Sequence, residues 1–579
     1  MRSKPPKIDF SREEAAEREI GRTAVSPFVQ RLLVAVFLLT IAGVPAIQWL
    51  SDASQAAPQS KRSSWIPRAT DVFSAFPNAW RAGSEQSSPY ARAKAANASL
   101  KHDFQSFEKS LEENSFLSRH ALPPVQYFTA RFLGLGNEKV YLGREGWLFY
   151  RPDVDYVAGP GFLAPSELRV RAKSGGIQPD PLPALVRFRD DLAARGIRLL
   201  VVPVPVKPSL DPEFLSSRYL SRRQPLQNPS FPDFLAALQK SGIDVLDVAP
   251  AIAEAKFETG LPPFLKTDTH WTPATMERVA ALIAKKAVSV GFLQPMSTAF
   301  RRAPAIPIAN TGDLAQMLRL APGSTLYPPE TATISPVIRE DDSPWQSDTS
   351  AEILLLGDSF TNIYSSEDLK WGTGAGLAEH VSLALQRPLD RIAINAGGAS
   401  TTRQSLARSP ERLVGKRLVI LEFAARDLAS VDWRVIPLPS PVAATERTDP
   451  PPATAANKAP TISGVIRAIS RAPRPGSLPY RDLIICIHLG EVKGIAATEI
   501  LVFTYGMRDN VHTPANSLNS GDTLTFQAIP WNQAEETFGT INRIELDGPA
   551  AEIGEIFWTQ NPSPENNPTL SAPEEAPRP

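Results

Sequence analysis

A single cysteine, Cys486, stands among 579 residues, which excludes an internal disulfide framework and any cysteine-rich zinc site. It leaves the redox compartment open. An excess of either charge is also lacking, because 61 Lys and Arg side chains balance 61 Asp and Glu. A polyanion binder needs a net basic surface to release counterions, so nucleic acid is not an expected partner of the whole chain. Histidine is scarce, at six, and the positions outside the 267–273 segment form no spaced metal-ligand cluster, so neither a metal nor a cofactor is expected. Apolar residues make up 42%, enough for a large core, while 56 prolines require stretches of extended linker.

Residues 32–50 carry no charge. At helical rise they span about 28 Å, enough for one membrane crossing. Arg2, Lys4, Lys7, Arg12, Arg18, Arg22 and Arg31 precede them, and cytoplasmic flanks are enriched in such residues. The expectation is a cytoplasmic tail (1–31) and an uncleaved signal anchor (32–50), kinked or not at Pro45, with the rest of the chain outside the cytoplasm. The rival is a cleaved signal peptide, with Ser54 and Ala56 before the cut.

Residues 51–99 are rich in Ser, Ala and Pro and read as a tether. Helical spacing of aromatics follows at 104–134, then short edge strands at 140–157. Apolar runs at 199–206, 243–248, 352–357, 390–397 and 416–423 alternate with helical patterns, including one at 273–290. This order predicts an α/β domain over 100–435, a mainly parallel sheet covered on both faces by helices. A proline-rich linker (436–460), a smaller β-rich module (461–560) and a disordered tail (561–579) complete the organisation. In the module, Phe503, Tyr505, Phe526, Trp531 and Trp558 are either stacking faces for sugar rings or core.

Two local sequences carry chemistry. In LLLGDSFTNIY (354–364) an apolar strand ends at Gly357 and Ser359 follows at a turn, where open α/β sheets place their sites. The plain alternative is a helix cap. In TDTHWTP (267–273), Asp268 and His270 stand two apart and lie on one side of an extended segment. A carboxylate on Nδ1 fixes the imidazole tautomer and leaves Nε2 to take a proton from a serine hydroxyl. Thr272-Pro273 then reads as a helix start.

Through VYLGREGWLFYRPDVDY, VVPVPVKP, FLKTDTHWTP, LLLGDSFTNIYS and LEFAARDL, in that order over residues 137–435, the chain resembles the SGNH-hydrolase-like alginate O-acetyltransferases of bacterial exopolysaccharide synthesis. The resemblance implies a catalytic triad of Asp268, His270 and Ser359, a polysaccharide substrate, and an acetyl-serine intermediate in the periplasm. It also implies a multispanning membrane O-acyltransferase as acetyl donor, since one membrane helix offers no path for an acetyl group. Oxyanion or substrate contacts are expected from the Ser359 N–H and from Asn395, Gly397, Arg403 and Arg426, although the two arginines equally suit salt bridges. Asp358 is expected to shape the turn. The same triad serves a carbohydrate acetylesterase, and a noncatalytic polysaccharide-binding assembly protein is the third reading.

Overall fold

Leucine, valine and alanine dominate residues 27–54, and they form one helix, α1 (Pro27–Ser54), that runs through Pro45 without a break. Its mean hydropathy reaches 2.1 over an 18-residue window and its apolar side chains are exposed. A helix satisfies its own backbone hydrogen bonds, as a lipid-spanning segment must. The helix is compatible with a single-pass anchor and, near the N-terminus, equally with a signal sequence.

The computed structural model describes residues 26–54, 72–73, 75–84, 88–173, 177–220, 222–291, 299–321, 323–439, 460–473, 482–509, 511–539, 541–546, 553–560 and 562–564. The expected cytoplasmic tail through residue 25, most of the linker (440–459) and the tail from 565 lie outside the described residues. Two compact units emerge, Met1–Pro124 and Val125–Pro579. In the first, part of the expected tether is helical: α2 (Ala75–Ser84) packs on α3 (Pro89–Asn114). The edge of the Phe76 ring meets Phe104 at 6.0 Å and Asn78 donates to Asp103 at 3.0 Å. The Ala and Ser content suggested a linker, but alanine is the strongest helix former, and the ALA-rich stretch ARAKAANASL follows that preference.

In the second unit, the edge strands expected at 140–157 stop early. Val140–Leu142 and Leu148–Tyr150 pair as an antiparallel hairpin, and Pro152 in the first turn starts a helix at Arg151–Ala158. Five apolar runs then build the main sheet: β1 (Arg198–Val204), β2 (Asp244–Val245), β3 (Ile353–Gly357), β4 (Asp390–Ala393) and β5 (Leu418–Ala424). The order is β4-β3-β5-β1-β2, and every pairing is parallel. Both faces are buried, which is why these strands read as continuous apolar runs rather than as alternating ones. Leu200, Val202, Leu355 and Ile420 face α6 (Pro273–Gly291), while Leu199, Val201, Leu356 and Leu421 face α4 (Pro181–Ala193), α5 (Phe231–Lys240) and a helix at Gly398–Arg408.

Between α6 and β3 the chain runs out and back once through two nested antiparallel strand pairs, Phe300–Arg302 with Val337–Arg339 and, inside it, Ile306–Asn310 with Glu330–Ile334. Their short, mixed-polarity strands gave no clear periodicity. They carry α7 (Asp313–Met317) to the carboxyl end of the sheet.

The C-terminal module is a nine-stranded sheet around β6 (Thr461–Ile469), β7 (Leu483–Lys493), β8 (Glu499–Arg508) and β9 (Thr523–Gln527). The aromatics considered as stacking faces are core instead: Phe503, Tyr505, Phe526, Trp531 and Trp558 are all buried, four of them packed ring against ring. Cys486 is buried in β7, and burial followed by the charge of Glu545 pushes its thiol up to about 12. The module sits on the helix Gly398–Arg408 and the turn after it. Arg543 donates to Ser405 at 3.0 Å, Arg412 meets Glu535 at 3.2 Å, and Arg408 pairs with Glu545.

Leu421 lies fully buried in the middle strand. Leu421→Ala is expected to destabilise the domain by about 2–5 kcal/mol, read as a lower denaturant midpoint for loss of tryptophan fluorescence.

Candidate active site

Close packing at the end of β3 sets the position of Ser359. A Cβ on Gly357 would stand 2.2 Å from Thr361 Oγ1, so only glycine lets the strand turn here. Asp358 caps α8 (Ser359–Asn362): its Oδ1 accepts from the Phe360 N–H at 2.8 Å, and its Oδ2 accepts from the Ala424 N–H on β5 at 3.0 Å. Asp358 thus shapes the turn, as expected. Glu422 on β5 accepts from the Asp358 N–H at 3.1 Å and from the Thr361 hydroxyl at 2.7 Å. Its burial, added to the charge of Asp358, pushes its carboxyl well above the usual range. The Ser359 N–H opens the helix and has no protein partner among the described residues.

His270 arrives on the loop before α6. Leu265 donates its N–H to the His270 carbonyl at 3.0 Å and Thr272 donates to Pro263 at 2.8 Å, closing the loop on itself. Trp271 is buried below it against the edge of Phe360, and Tyr364 donates to the Trp271 carbonyl at 2.6 Å. The imidazole leans on the Phe360 ring at 4.7 Å. Its Nε2 lies 2.8 Å from Ser359 Oγ, and its Nδ1 lies 2.7 Å from Asp268 Oδ1. The three residues are separated by 89 positions along the chain at the longer gap and all are buried.

Asp268 accepts four hydrogen bonds. The His270 ring and backbone N–H reach Oδ1 at 2.7 and 3.1 Å, and the Asp313 N–H and Trp371 Nε1–H reach Oδ2 at 3.0 and 2.9 Å. Burial would raise its pKa, but the bond and charge of His270, with Trp371 and the Asp313 N–H, bring it well below the carboxylate range. Burial likewise works to lower the His270 pKa, and Asp268, aided by Asp313, outweighs it, so the imidazole is raised above 6.5. Asp268, His270 and Asp313 are close enough to hold a cation. Their facing atoms are instead engaged by N–H and O–H donors: Asp313 accepts from the Thr269 N–H and hydroxyl, both at 2.7 Å.

The other expected contacts divide. Asn395 follows β4 and is buried. Asn362 on α8 donates to its Oδ1 at 3.0 Å, while its Nδ2 has no partner among the described residues. Gly397 is a turn residue, because its N–H donates to the Ile394 carbonyl at 3.0 Å. Arg403 is also structural. It is buried over Trp433 and donates to the carbonyls of Ala399 and Arg434, so its charge is spent inside the domain. Arg426 stays near the site, its guanidinium 5.7 Å from the Phe360 ring and bonded to Asp153 at 3.1 Å. Asp313, Trp371 and Glu422 escaped the sequence reading. The Gly-Asp dipeptide at 312–313 was the one available signal, a turn marker in a segment without periodicity.

Residues 140–425 match the family described as SGNH hydrolase-like domain, acetyltransferase AlgX. The match spans just under half of the chain, which is similar to that family over this segment. Among curated relatives, a protein named probable alginate O-acetylase AlgJ from Pseudomonas aeruginosa is 30% identical over 190 residues, 32% of this chain and 43% of its own length. Its namesake from Azotobacter vinelandii is 25% identical over 332 residues, 56% of this chain and 78% of its own. The chain therefore spans less than half of the first relative. The solved O-acetyltransferase domain of Pseudomonas putida AlgJ is similar at 22% identity with a TM-score of 0.38, covering 50% of this chain and 92% of that one.

Asp268→Asn removes the charge that holds the imidazole up against burial. The His270 midpoint, followed by NMR of the ring protons, is expected to fall by about one unit or more.

Proposed function

We propose that the chain is a polysaccharide O-acetyltransferase working through Ser359, His270 and Asp268, on an alginate-like exopolymer. One observation carries the reading: an unbroken hydrogen-bond relay of 2.7 and 2.8 Å from Asp268 through His270 to the Ser359 hydroxyl, at the carboxyl end of a parallel sheet. The polymer class rests on the relatives' names.

His270 Nε2 takes the Ser359 proton as Oγ attacks the acetyl carbonyl of the donor. The donor's leaving group departs with that proton, leaving acetyl-serine. A sugar hydroxyl then gives its proton to the same Nε2 and attacks the acetyl carbon, and Ser359 Oγ recovers a proton as the acetylated sugar leaves. Each tetrahedral oxyanion needs donors. The unpaired Ser359 N–H and the unpaired Asn395 Nδ2 are assigned that task, and Arg426 supplies positive charge beside the site. Transfer rather than hydrolysis requires that the acceptor hydroxyl, and not water, meet the acetyl-serine. With α1 as anchor, the domain lies on the periplasmic side, and a multispanning membrane acyltransferase supplies the acetyl group.

Ser359→Ala is expected to cut acetyl incorporation into oligosaccharide by about 10³-fold or more while leaving the thermal midpoint unchanged, with mass spectrometry counting acetyl groups. Retained transfer would sink the proposal, and release of acetate without any gain in oligosaccharide mass would make the protein an esterase. Because the base is neutral imidazole and its pKa is raised, the rate should climb with pH through a limb centred above 6.5.

A further inference from the structure

The Asp268–His270 pair does not hold its own loop in place. Glu330, on the hairpin before β3, accepts from the N–H groups of Lys266 and Thr267 at 2.9 and 2.8 Å. Gly312 approaches so closely that a Cβ there would lie 2.3 Å from the Thr267 carbonyl oxygen. The next residue, Asp313, touches three consecutive positions of the loop. Its carboxylate takes both donors of Thr269, its backbone N–H reaches Asp268 Oδ2 at 3.0 Å, and its Oδ2 stands 3.9 Å from His270 Nδ1. Among the described contacts Asp313 bonds Thr269 and Asp268 while Ser359 Oγ bonds His270, so Asp313 acts through the imidazole.

We infer that Asp313 is a positioning residue for acyl transfer: it fixes Thr269 and Asp268 so that His270 aims Nε2 at Ser359, and it places a second negative charge behind the ring. The inference rests on the acyl-transfer reading above. Its two parts are separable. The hydrogen bonds set geometry, and an amide of the same shape preserves most of them, accepting from the Thr269 N–H and donating to its hydroxyl. The charge sets how readily His270 accepts a proton, and only a carboxylate supplies it.

The titratable groups facing this pair come from several elements. Asp268 and His270 share the loop, Lys207 approaches from the segment after β1, Tyr150 from the N-terminal hairpin, and Arg426 acts on the ring from the end of β5. Burial, then the charge of Asp268, pushes Asp313 up to about 7, while the imidazolium draws it back down. Protonated His270 therefore favours ionised Asp313, and ionised Asp313 favours protonated His270. Removing that charge must lower the imidazole midpoint.

The test uses the full chain, with 4-nitrophenyl acetate as activated donor and an oligosaccharide acceptor. Asp313→Asn should move the acid limb of kcat to lower pH by about half a unit or more, with the His270 NMR midpoint moving in the same direction. Asp313→Ala should lower kcat by about 10²-fold with a smaller change in KM, and Asp313→Asn should recover most of that loss. An unmoved limb and midpoint in Asp313→Asn overturns the inference, including where Asp313→Ala fails to fold. Ser359→Ala measured alongside separates the two ideas: if it keeps activity, the acyl-transfer reading fails, whereas if it is inactive and Asp313→Asn is unaltered, only the role of Asp313 fails.

Discussion

A carboxylate sealed from water is tolerable only if its charge is answered, and Asp268 is answered four times over. The four donors come from three parts of the neighbourhood: the ring and backbone of His270, the backbone of Asp313 in the insertion before β3, and the indole of Trp371 beyond β3. Much of the surrounding architecture can be understood as bringing those donors together. The parallel sheet supplies a rigid floor, the turn after β3 projects a hydroxyl, and the insertion closes over the loop from the other side.

The serine turn is built on an opposite arrangement. Asp358 spends both carboxylate oxygens on backbone N–H groups, and Glu422 sits beneath it with its carboxyl pushed well above the usual range by burial and by the charge of Asp358. Like charges this close cannot both ionise without cost. The turn thereby gains two anchors on β5, the Ala424 N–H and the Glu422 carboxyl.

The sheet was legible because strands buried on both faces are apolar nearly throughout, and the runs ending near Val204, Gly357 and Ala424 meet that condition, while the two edge strands carry Asp244, Asp390 and Arg391. The serine, histidine and aspartate were legible because their local chemistry is compact: two residues apart for one pair, one strand-turn for the other. The inserted strand pairs were not. Their strands are short, half exposed and interrupted by proline, so no period emerges, and Asp313 shows its importance only through contacts some 45 positions away. Arg403 and Gly397 misled for a related reason. Proximity in sequence to Asn395 suggested a shared task, whereas the helix that follows turns the arginine into the interior against Trp433. Composition also misjudged the N-terminal unit, where alanine that looked like linker material follows its helical preference in α3.

Cys486 is locked within β7, its thiol far from the ionised form that reagents attack. The natural protein is consequently a silent background for spectroscopy: a single cysteine placed at any surface position would be the sole site to accept a spin label or fluorophore, without prior removal of native sulfur.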